Sequence, residues 1–246
     1  MKSYNLAGTE IQMPDLVRTG APGEAEHAFA VALDAANLFA SQKHAVENDQ
    51  HLSTTGKQAK LAPMASQLWK TIFSSAKALQ GERLKIETRT AELYGIGVPT
   101  TPYQIQQDLE RRTWWNAQPA ANRAAFLEAI SRTPEEAMLL ALLRSPVPAF
   151  ADLELRALRE AFEALRREND ADLWALISDD QRALDWALRG MGHVVGISHG
   201  LTGITHQGVL AMLVESGDIA AAVALDYSQA EIATERRIQS AKRLAA

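Results

Sequence analysis

The residues Gly196-Ile197-Ser198-His199-Gly200 carry the spelling of a serine-hydrolase nucleophile elbow, G-x-S-x-G. In an elbow the serine sits on a strained turn between a buried strand and a helix, with its hydroxyl exposed. A histidine must take its proton, and a carboxylate must orient that histidine. In the α/β-hydrolase order both follow the serine. Here the last histidine is His206, eight residues on, with no Asp or Glu between. A hydrolase using Ser198 with His193 or His206 therefore stands only as an alternative, and no catalytic residue is assigned.

His193, His199 and His206 also raise a metal question, since imidazole is a common ligand. Spacings of six and seven match no standard zinc signature, and the chain has no cysteine to complete a soft site. Hydrogen-bonded or exposed histidines in a polar patch are the simpler reading, and no metal or other cofactor is expected. In LERRTWWNAQ, Trp114 and Trp115 follow Arg111 and Arg112. Arginine beside tryptophan can stack on bases or anchor a protein interface. A net charge of −5 supplies no general field for nucleic acid, so one tryptophan is expected in the core and the other at a helix end. TTGK at 54–57 lacks the first glycine of a phosphate loop and reads as a turn. His193, Ser198, His199 and His206, with Trp114 and Trp115, are the candidate interaction residues.

The elements that must position them are helical. Alanine, leucine, glutamate and arginine dominate, and their unbranched side chains lose little freedom in a helix. Residues 1–23, with Pro14, Gly20, Pro22 and Gly23, read as a flexible arm, or as one that orders on a neighbouring subunit. Their lack of a continuous apolar core gives no secretion signal. A helix is predicted from Glu24 to Asn48, with Phe29, Ala32, Leu33, Ala36 and Phe39 on one stripe. After a polar turn comes a longer helix. Ala65, Ile72, Leu79, Ile86 and Leu93 recur every seven residues, joined by Leu61 and Leu68, as in a coiled-coil seam. This seam is longer than the preceding helix that would cover it, which points to an oligomer.

Three capping-box phrases announce later helices: TPYQ at 101–104, TPEE at 133–136 and SDDQ at 178–181. SPVPAF at 145–150 breaks the chain, and the next helix carries Leu155, Leu158, Phe162 and Leu165. A final helix is predicted from near Asp226. The expected fold is mainly α. A long antiparallel hairpin over 24–97 precedes a cluster of shorter helices over 98–246.

One stretch breaks this grammar. Six of the fourteen glycines lie between Gly190 and Gly208, and no charged residue occurs from Gly190 to Val214. Gly192, Gly196 and Gly200 are four apart, so a helix here would carry a small-residue ridge. The uncharged length would also reach across a bilayer, which keeps a membrane-active protein using 190–214 as an alternative. GISH at 196–199 is echoed by GITH at 203–206, and two β-branched pieces flank HGLTG. The preferred reading is an insertion at 190–208 holding a small β-hairpin near 193–208, or an irregular glycine loop.

A helical hairpin joined by LSTTGKQAKLAP and followed by LLRSPVPAF and an Arg/Glu-rich helix resembles small helical structural proteins of tailed bacteriophages. The resemblance covers roughly residues 25–170. It implies a non-enzymatic virion or assembly component, such as a head, head–tail junction or ejected protein. Its partners would be other copies of itself and other virion proteins. It implies a virion location, with host cytoplasm during assembly, and carries over no catalytic residue.

Overall fold

The computed structural model describes residues 2–16, 23–132, 135–145 and 152–245. The described residues form ten helices and one two-stranded antiparallel sheet, so the mainly α expectation with one small β-hairpin stands. The chain divides into two compact units: residues 1–86 with 179–246, and residues 87–178. The sequence reading placed one boundary near residue 98. The second boundary, at 178/179, returns the C-terminal helices to the unit that holds the N-terminal elements.

The hairpin is not where it was expected. Strand β1 (Lys2–Leu6) pairs with β2 (Thr9–Met13) through a two-residue turn. Ala7 and Gly8 both have positive φ, 52° and 82°, the backbone that a tight hairpin turn of matching twist requires. The Asn37 side chain locks this turn: its Oδ1 accepts from Ala7 N–H at 2.8 Å and its Nδ2 donates to the Asn5 carbonyl at 3.1 Å. Leu6, Ile11 and Met13 are buried. The expected flexible arm is thus ordered over residues 2–16, on its own chain. Residues 17–22 lie outside the described residues.

Helix α1 (Glu24–Glu47) and helix α2 (Thr54–Leu93) form the predicted antiparallel hairpin. Lys85 Nζ meets Glu24 at 2.8 Å at one end, and Lys57 Nζ donates to the Glu47 carbonyl at 2.6 Å at the other. Thr54–Lys57 is the first turn of α2 rather than part of the connecting loop. Ser53 starts it by accepting from Gly56 N–H at 3.1 Å.

All five heptad residues of α2, Ala65 to Leu93, are buried, as is Leu68. These residues of the seam are therefore covered within the chain, while Leu61 at its start is half-buried. Trp69, Phe73 and Ala76 widen the buried face, and Trp69 meets a further helix through Thr202 and His199.

That further helix is α7 (Ala171–Thr202), of which residues 179–202 belong to the first unit. SDDQ at 178–181 does not start a helix; it lies inside α7. Gln181 is exposed and bonds within the helix to Asp185 at 2.8 Å, so it does not compete with the backbone. Helices α8 (His206–Ser216), α9 (Ile219–Ala224) and α10 (Gln229–Ala245) complete this unit. Ser228 and Glu231 cap α10 reciprocally, at 3.2 and 2.8 Å, and Asp226 precedes it in a left-handed conformation.

The second unit holds α3 (Pro102–Ala117), α4 (Ala120–Arg132), α5 (Glu136–Leu143) and α6 (Asp152–Asn169). Thr101 and Gln104 make the predicted capping box on α3. Thr133 and Pro134 of the second box, and residues 146–150 of SPVPAF, lie outside the described residues. The core gathers Trp115, Ile130, Leu139, Leu142, Leu158 and Phe162. Beside it the buried Asp108 pairs with Arg144 at 3.3 Å.

Candidate functional site

The uncharged glycine-rich stretch is a helix–turn–helix joint. Residues 190–202 complete α7, Gly203 to Thr205 turn the chain, and α8 begins at His206. Helix wins over hairpin because Met191, Val194 and Ser198 fall on one buried face, and tertiary packing outweighs the weak helix propensity of glycine and β-branched residues. Gly203, at φ +71°, ends α7 with its N–H on the His199 carbonyl at 2.9 Å. Thr205 caps α8 by accepting from Gly208 N–H at 3.1 Å.

The glycines divide by surroundings. A Cβ on Gly190 would lie 2.4 Å from the Phe29 ring, itself held edge-on by Tyr4 and Trp186 at 5.7 and 5.0 Å. At Gly192, Gly196 and Gly200 a Cβ would meet nothing within 4 Å. The small-residue ridge exists, but it lines the exposed side of α7.

Ser198 is fully buried, and its hydroxyl has no hydrogen-bond partner. It lies in continuous α-helix, without the strand and strained turn of an elbow. Neither histidine bonds it. His199 Nδ1 lies 2.6 Å from the Ile204 carbonyl, so this nitrogen carries the proton and donates it. The other face of that ring packs on Trp69 at 5.0 Å. Trp69 Nε1 donates to Thr202 Oγ1 at 3.2 Å, and Thr202 donates to the Ser198 carbonyl at 2.8 Å. These bonds lock the turn.

His206 stacks on Tyr227, with ring centroids 4.3 Å apart, and its Nε2 lies 3.9 Å from Glu231. The Tyr227 hydroxyl donates to the His206 carbonyl at 2.9 Å. Burial, then the Glu231 charge, pushes the Tyr227 phenol up to about 12. Hydrogen bonds from the Ser228 side chain and backbone hold the Glu231 carboxyl below its ordinary value. His193 is exposed on α7, away from this turn network. No group of three His, Asp or Glu with metal-binding placement occurs among the described residues. No helix there is long and apolar enough to cross a membrane.

Trp114 and Trp115 belong to the second unit, and His193, His199 and His206 to the first. Trp115 is buried in the core and Trp114 is exposed, both edge-on to Phe126 at 5.5 Å. Trp115 is thus the core tryptophan, and Trp114 lies in the last turn of α3, at a helix end as expected. The helix carrying them presents what the sequence reading missed. Asp108 and Trp115 face inward, while Ile105 and Leu109, four apart and so on one face, are 51% and 52% exposed. Tyr103 is 70% exposed, and Val98 in the preceding loop 81%. The available signal was the Ile105–Leu109 spacing, set among glutamines and charges that suggest a solvated face.

No family model, curated protein or solved structure matches the chain.

Proposed function

We propose that this chain is a non-enzymatic structural or assembly protein that works as an oligomer through protein–protein contacts, within the virion of a tailed bacteriophage. The observation that supports the contact role is the exposed apolar pair Ile105 and Leu109, one turn apart on one face of α3. Exposed apolar side chains gathered on one element favour association, because burying them removes apolar surface from water. Aromatic and aliphatic side chains of this kind form the dry centres of protein interfaces. The Ile105–Leu109 pair replaces the α2 seam as the support for self-association.

The virion setting is supported by the resemblance of residues 25–170 to small phage structural proteins. A coding sequence lying among capsid and tail genes is the expected context, and one surrounded by unrelated metabolic genes contradicts the setting. For the contact role, sedimentation equilibrium of the full chain at micromolar concentration is expected to give a multiple of 26.9 kDa. A compact monomer, with no association at any accessible concentration, contradicts it.

A further inference from the structure

A groove of about 350 Å³ in the first unit is walled by Leu188, Met191 and Val195 of α7 and Val223 of α9. That volume falls in the range of small-molecule sites. Arg83 of α2 and Asp226 also line the groove. Arg83 is half-buried, yet its guanidinium makes no ion pair or hydrogen bond with any described residue. A guanidinium beside apolar walls, with its donors unfilled, is a ready partner for a planar carboxylate. Asp226 is exposed and held at φ +65°, and it does not reach Arg83 either.

Gly192 contributes space rather than a contact. It lines the same groove, inside a helix, where glycine is among the poorest residues. A Cβ there would meet nothing within 4 Å, so packing within the chain does not call for glycine.

We propose that this groove binds a small amphipathic carboxylate, its aliphatic body against Leu188, Met191, Val195 and Val223 and its carboxylate on Arg83. Asp226, a like charge in the same lining, weakens such a ligand. The two charged residues therefore act in opposite directions.

The probe is sodium octanoate, titrated into the full chain while the methyl resonances of Met191, Val195 and Val223 are followed. Octanamide, of the same shape but uncharged, is the comparison. Saturable shifts at these methyls with a dissociation constant of roughly millimolar order are expected from a ligand of this size. Arg83→Gln should weaken octanoate about tenfold or more, as loss of a charge-assisted bidentate contact does. Arg83→Lys should lie between. Asp226→Asn, which tolerates the left-handed backbone, should leave binding equal or tighter. Gly192→Met should block it. Thermal melts establish that each variant is folded, and Asp226→Asn and octanamide carry the test if Arg83→Gln does not fold. The proposal is overturned by equal binding of octanoate and octanamide, by equal binding to wild type and Arg83→Gln, or by no saturable shift up to ~10 mM.

Discussion

The uncharged stretch 190–214 and helix α3 reverse their apparent roles between sequence and structure. The first looks like an insertion built for function, with its glycines, histidines and hydroxyls. In the fold it supplies core through Met191, Val194, Ser198, Val209, Leu210 and Leu213, and a locked turn through His199, Thr202 and Thr205. Helix α3 reads as an ordinary polar helix, yet it exposes Tyr103, Ile105 and Leu109. An absence of charge marked burial, and charge-rich surroundings concealed the apolar surface.

The sharpest way to break this contrast is within α7 itself. Gly190→Ala and Gly196→Ala make the same chemical change on one helix, six residues apart. At 190 the new methyl meets the Phe29 ring, which Tyr4 and Trp186 keep from swinging away. Chemical denaturation should show a loss of about 3 kcal/mol there, at the upper end of ordinary overpacking. Equal stability would mean that α7 does not pack as described.

In the second unit, Asp108→Asn leaves Arg144 half-satisfied beside the core. A destabilisation of about 3 kcal/mol is expected by denaturant melt, since a broken buried pair strands its partner. A change under ~0.5 kcal/mol would show that the pair is solvated.

Gly196→Ala should go the other way. Its methyl meets open space, so helix propensity alone decides, and a gain of about 0.5–1 kcal/mol is expected. A loss would reveal a close neighbour on that face. Smallest is Ser198→Ala, which removes a buried hydroxyl that has no partner. Stability should stay level or rise by up to ~1 kcal/mol. A serine-reactive probe that labels wild type but not this variant would revive the hydrolase reading.

Helix periodicity was the most readable feature of the sequence. The α1 stripe, the α2 heptads and the Thr101 capping box stand because each rests on local spacing. The N-terminal hairpin is not legible in the sequence, because Pro14 and the later glycines break up the alternation of Leu6, Ile11 and Met13 around the Ala7–Gly8 turn. SDDQ misled because a capping phrase signals a start only where the preceding residues cannot be helical, and Ala171–Ile177 can. The interaction site was readable only in part. Trp114 and Trp115 divided as expected, but which face of α3 is left uncovered depends on where α5 and the neighbouring helices pack, which no local spacing encodes.

The most direct test of the α3 surface compares the mass of wild type with that of Ile105→Glu/Leu109→Glu by sedimentation equilibrium at matched micromolar concentration. Both side chains are already exposed, so the double variant should stay folded while placing charge at the centre of the contact. The expected result is an oligomer for wild type and 26.9 kDa for the variant. The same mass for both chains, whether monomer or oligomer, would contradict a role for this face in assembly.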